Sequence, residues 1–119
     1  MDEITATLED YIESIFMLSG DDGVSIKSIA KKLNIKKSSV VASIRRLKEK
    51  ELVEQKHYGK VKLTEKGKEK AGEIYNKHNL IKQFFLRIGV DAEKAEKEAC
   101  LIEHFLSDDT VNKMMKYVK

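Results

Sequence analysis

The sequence predicts a mainly α-helical chain with one short β-hairpin near its middle. Three observations carry this reading. The 119 residues include no proline and only six glycines, so little interrupts a helix. Lys, Glu, Leu and Ile, which all tolerate helical backbone, are abundant. Apolar residues recur three and four apart along most of the chain and alternate only between about Leu52 and Leu63. A chain of this length forms one compact unit or two small lobes, with a modest core that a dimer would supplement.

The formal net charge of +3 hides an asymmetry. Residues 24–70 carry 15 Lys and Arg against five Glu, a net of +10, and the flanks carry −7. A lysine-rich surface is often mere solvation, but a segregated basic lobe marks a polyanion partner. No apolar run is long enough to cross a bilayer. The acidic N-terminus lacks the pattern of a signal peptide, and a single cysteine excludes an internal disulfide. A cytoplasmic location is expected. Without a glycine-rich phosphate loop or a nucleophile–base pair, neither an enzyme nor a small organic substrate is expected.

The first helix is expected over about Thr5–Leu18, with Leu8, Ile12 and Ile15 as its apolar stripe and Tyr11 and Phe16 beside them. Thr7 and Asp10 have the spacing of a capping box. Residues 19–23 form a turn, and Ser25 can cap a short helix to about Leu33. After a tight connection at 34–37, a third helix runs to about Lys50 with Val40, Ile44 and Leu47 inward. Two short helices joined this way form a helix-turn-helix. Leu52–Lys56 and Lys60–Leu63 flank a glycine-containing turn and give the hairpin, a wing. Thr64 can cap a long helix to about Ile88, in which Gly67 is a tolerated weak point. Gly89–Asp91 is a break, with Asp91 a cap for a helix over about Ala92–Leu106, and Ser107 caps the last one, through about Val118. The fold class is therefore mainly α: a winged helix-turn-helix over 1–63, then a helical region over 64–119.

The outer face of the third helix carries small residues, then arginines, a pattern that suits the major groove. The expected DNA contacts are Lys27, Lys37, Ser38, Ser39, Ala42, Ser43, Arg45 and Arg46, with Lys56 and Lys60 on the wing. His57 reads as a surface residue.

Two polar faces suggest metal ligation. Cys100, Glu103 and His104 share one helical face, with Glu96 a turn earlier. A thiolate, a carboxylate and an imidazole together suit a divalent transition metal, against the plainer alternative of chance polar residues. Asp10 and Glu13 form a second face, although acids early in a helix also complement its dipole. His78 borders the buried stripe of the long helix and is either a satisfied core residue or a further ligand.

Glu9-Asp10-Tyr11-Ile12-Glu13-Ser14-Ile15, Ser38-Ser39-Val40, Leu63-Thr64-Glu65-Lys66-Gly67 and, most specifically, the run from Glu98 to Ser107 resemble the diphtheria toxin repressor and manganese transport regulator family. The resemblance implies a homodimeric repressor that needs a divalent metal to bind a palindromic operator, with residues 64–119 as the metal-binding and dimerisation domain. It implies that Cys100, Glu103 and His104 match ligands of iron-responsive members, and that Glu96 stands at an ancillary ligand position of theirs. Asp10, Glu13 and His78 match manganese-responsive members. The chain departs from the family at Lys82, where an acid is usual four residues after the histidine. It looks like a minimal two-domain member, without the SH3-like third domain of the longer iron repressors.

The mixed ligand set leans to Fe²⁺, with Mn²⁺ the alternative. Zn²⁺, Co²⁺ and Ni²⁺ are expected to bind in vitro, following the Irving–Williams order. Phe84, Phe85, Ile88, Leu101 and Phe105 are candidates for a dimer seam. The rival classes are a metal-independent winged-helix regulator and a metal-storage protein.

Overall fold

A computed structural model describes residues 6–20, 22–56 and 59–117, the side chains of Ala6 and Thr7 excepted. The expected Thr7 capping box, His57 and Val118 lie outside what is described. Among the described residues there are six helices and one two-stranded sheet. The order is α1 (Ala6–Leu18), α2 (Ile26–Leu33), α3 (Lys37–Glu49), β1 (Val53–Gln55), β2 (Val61–Leu63), α4 (Glu65–Arg87), α5 (Ala92–Ile102) and α6 (Asp108–Met115). The chain divides into two compact units, Met1–Ala71 and Gly72–Lys119, with the border inside α4.

In the first unit, Leu8, Ile12 and Ile15 of α1 and Ile29 of α2 are fully buried, as are Val40 and Leu47 of α3. Each such side chain contributes about 1.5–3 kcal/mol on leaving water. Tyr11, beside the stripe, is buried with it, whereas Phe16 on its other side is 45% exposed. Ser25 caps α2 by accepting from the Ser28 amide, and Asn34 ends it in the left-handed region at φ 56°. The outer face of α3 stays in solvent because Val40, Ile44 and Leu47 all point the other way.

The wing is antiparallel, with Val53 opposite Leu63 and Gln55 opposite Val61. Alternation buries Val53, Val61 and Leu63 and leaves Glu54 outside. Val24 exchanges two backbone hydrogen bonds with Val61, at 2.9 and 2.8 Å, so the wing's inner strand is held on both edges. Gly23 permits this approach: its φ is +96°, and a Cβ there would sit 2.5 Å from the Val61 carbonyl oxygen.

Thr64 accepts from the Gly67 amide and donates to the Glu51 carbonyl, tying the start of α4 to the end of α3. Gly67 is not the weak point expected. A Cβ there would collide with the Leu52 backbone carbonyl.

In the second unit, Ile81 of α4, Ala99 of α5 and Val111 of α6 form the buried cluster, with Leu80, Phe85, Ile102 and Leu106 packed on it. Asp91 and Ser107 cap α5 and α6 as expected. α5 ends at Ile102, four residues earlier than expected. Ser107 must be extended, at φ −73° and ψ 157°, to cap α6, so residues 103–106 leave the helix. Leu101 and Phe105 are 68% and 76% exposed.

Gly67→Ala should therefore destabilise the protein by about 2 kcal/mol or more, as overpacking against rigid backbone does. Gly72→Ala, where a Cβ meets nothing, should stabilise it by about 1 kcal/mol. Urea melts of the two variants check this opposition.

Candidate metal centre

Each unit presents one set of potential donors. In the first, Asp10 and Glu13 sit one turn apart on α1, both partly exposed. In the second, three elements contribute. α4 supplies His78 from its buried stripe, at 6% exposure. α5 supplies Cys100 from its last turn, and Glu103 is the residue that ends it. A ring nitrogen of His78, the Cys100 Sγ and a Glu103 carboxylate oxygen all lie within 4.8 Å of one another. This is the separation expected of donors around one divalent ion.

Glu103 is 1% exposed, an unusual place for a carboxylate. Its Oε2 accepts from His78 Nδ1 at 2.9 Å. Its Oε1 is buried without a hydrogen-bond partner. The Nε2 of His104, whose side chain is 4% exposed, lies 3.5 Å from Oε1, too far for a good hydrogen bond. An unsatisfied buried carboxylate oxygen beside a thiol and an imidazole fits a cation. Cys100 is exposed, unlike most free cysteines, which pack as small buried hydrophobes.

The second nitrogen of His78 is also engaged. Nε2 lies 2.9 Å from Glu96 Oε2, and Glu96 Oε1 lies 3.0 Å from the Lys82 ammonium. Lys82 stands four residues from His78 and so shares its helix face, but no local sequence pattern joins either residue to Glu96. The Glu103 hydrogen bond raises the pKa of His78 to about 9 from an ordinary 6.5, with Glu96 assisting and burial opposing. Glu96 is held below its ordinary 4.5 by its hydrogen bonds to His78 and Lys82. Without a metal, the imidazolium is thus the cation that neutralises the buried carboxylate.

The expected DNA contacts lie on exposed surface of the first unit. Lys37, Ser38, Ser39, Ala42, Arg45 and Arg46 are exposed on α3, and Ser43 is partly so. Lys27 on α2 is exposed, as are Lys56 and Lys60 at the wing tip.

Residues 3–61 match the model of the iron-dependent repressor N-terminal DNA-binding domain, and residues 64–119 that of the iron-dependent repressor metal-binding and dimerisation domain. The transcriptional regulator MntR of Bacillus subtilis is 38% identical over 92% of this chain and 78% of its own. The chain belongs to the iron-dependent repressor family. It is a metal-dependent transcriptional repressor and not an enzyme. An HTH-type transcriptional regulator of Methanocaldococcus jannaschii is 35% identical over 98% of this repressor and 95% of its own length. A solved manganese-dependent transcriptional repressor in complex with manganese superposes with a TM-score of 0.81 at 28% identity, over 93% of this chain. The repressor spans about half, 52%, of that longer chain. No helix among the described residues is long and apolar enough to cross a membrane.

The raised His78 pKa gives a pH dependence to the metal-free protein. Its stabilising contribution is complete below about pH 6.5 and is lost as pH rises through about 9, while that of Glu96 is lost as pH falls below 4.5. The His78 contribution, about 3 kcal/mol, comes mostly from Glu103, and the exposed Glu96 adds little to it. Urea melts in chelator should show stability falling between pH 6.5 and 9, and His78→Gln should flatten that fall.

Proposed function

We propose that the repressor is iron-responsive and binds a palindromic operator as a homodimer when loaded with a divalent metal. The proposed donors are His78, Cys100, Glu103 and His104 of the second unit with Asp10 and Glu13 of the first. The observation that carries the metal preference is the exposed Cys100 thiol within reach of His78 and Glu103. Thiolate favours Fe²⁺ over Mn²⁺, whose preferred ligands are oxygens. A bound ion would supply the charge that the buried Glu103 carboxylate requires. Metal binding would favour one spacing of two recognition helices and two wings, so metal acts by shifting a conformational equilibrium.

The exposed face of α3 supports its role as the helix read into the major groove. Ser38, Ser39 and Ala42 allow close approach, Ser43 stands beside them, and Arg45 and Arg46 reach phosphate or guanine edges. Lys27, Lys37, Lys56 and Lys60 supply phosphate contacts. Paired half-sites about one helical turn apart match a two-fold dimer. Exposed Leu101 and Phe105 suit a seam between copies. A cytoplasmic location agrees with this reading.

A manganese-responsive repressor is the second reading. Asp10, Glu13 and Glu103 are hard donors, and two relatives described above carry MntR and manganese in their names. Operator affinity measured across a metal series separates the two.

Co²⁺-loaded protein should show sulfur-to-metal charge-transfer absorption. Cys100→Ala should abolish that band, weaken metal-dependent operator binding at least tenfold and leave the fold intact. Cys100→Asp should shift preference towards Mn²⁺. Normal metal activation of Cys100→Ala, with no thiolate band in the parent, sinks the iron reading.

Lys60→Ala should weaken operator binding on every sequence and lower the slope of log affinity against log salt by about one. Fluorescence anisotropy across a salt series reads this. An unchanged slope would remove the wing tip from the contact surface.

A further inference from the structure

We propose that Lys82 and Glu96 are positioning residues for the metal centre: together they fix which nitrogen of His78 faces a bound ion. The inference rests on the ligand set proposed above and concerns how one of its members is aimed.

An imidazole ring has two nitrogens pointing away from each other, and only one can face a given ion. Nε2 is taken by Glu96 at 2.9 Å, and Nδ1 faces Glu103 at 2.9 Å. Glu96 touches His78 yet falls outside the group in which His78, Cys100 and Glu103 donors are mutually close. Glu96 therefore stands behind the ring as seen from Cys100 and Glu103. A proton kept on Nε2 and donated to Glu96 leaves the Nδ1 lone pair for the ion. This arrangement, a ligating histidine whose other N–H goes to a carboxylate, also raises the basicity of the ligand.

Glu96 alone would hold the ring poorly. It is an exposed side chain, 53% accessible, with rotamer freedom of its own. Lys82 removes that freedom by binding the far oxygen at 3.0 Å, and its side chain is itself only 31% accessible. Lys82, four residues after His78 on α4, reaches the same carboxylate from the same helix face. The result is a relay of fixed contacts, Lys82 to Glu96 to His78, running from surface to centre. Lys82 thus serves the centre without being able to ligate.

The test is metal affinity, measured by competition of Co²⁺ against a chromophoric chelator at constant pH. Lys82→Met gives the decisive sign. If the ammonium acted only as a nearby positive charge, its removal would tighten binding of a dication. If it positions Glu96, removal weakens binding, by about tenfold or more for a lost supporting contact. Lys82→Arg should restore most of the affinity. Glu96→Gln should weaken binding similarly, and the Lys82→Met/Glu96→Gln pair should be no weaker than Glu96→Gln alone, because the two act in series. In all variants the visible spectrum of bound Co²⁺ should keep its shape. A changed d–d spectrum in Glu96→Gln would make Glu96 a donor and overturn the inference, as would unchanged or tightened binding in Lys82→Met. A parent spectrum without a thiolate band would instead count against the proposed ligand set, and the affinity comparison still decides the role of Lys82.

Discussion

The second unit depends on the burial of the Glu103 carboxylate. A charge at 1% exposure needs a cation, because desolvation without one costs several kcal/mol. The neighbourhood of Glu103 provides for this. α4 delivers His78 out of an otherwise apolar stripe, and the end of α5 at Ile102 leaves Glu103 at the mouth of the helix. Buried Ala95 and Ala99 keep the inner face of α5 small. With a proton on His78 the carboxylate is neutralised on one oxygen only, and the other is left without a hydrogen bond. A divalent ion would answer both needs and would link metal binding to packing through one side chain.

The first unit follows a different constraint. Its segment 24–70 carries a net charge of +10, so cohesion there must come from apolar burial and backbone pairing. The inward stripe of α3 and the shared pairing of Val61 with β1 and Val24 meet that demand. They leave the polar and cationic residues of α3 and the wing tip in solvent. Acidic residues such as Asp10 and Glu13 are set apart on α1.

Much of this was legible in the sequence. Helical periodicity located all six helices, and Ser25, Asp91 and Ser107 marked their starts because capping is a local property of short side chains. The cluster of His78, Cys100 and Glu103 was half legible. Cys100 and Glu103 share a helical face, but His78 lies in another helix and was joined to them only by family resemblance. What escaped depended on contacts distant in sequence. The Val24–Val61 pairing and the collision that excludes a Cβ at Gly67 arise between separate segments, and no local pattern announces them. The early end of α5 was hidden because Phe105 and Leu106 continue an apolar pattern while Ser107 dictates the backbone.

The anchoring of α4 bears on how the repressor can be dissected. The matched domain models divide at residues 61 and 64, yet the first compact unit runs to Ala71. Thr64 satisfies the Glu51 carbonyl, its amide donates to the Leu52 carbonyl, and Ala71 is buried. A fragment cut after Leu63 would expose those carbonyls and strip one wall from the core. A fragment retaining α4 through Ala71 keeps every one of these contacts. The opening turns of the long helix are, in the chemistry of folding, part of the DNA-binding half.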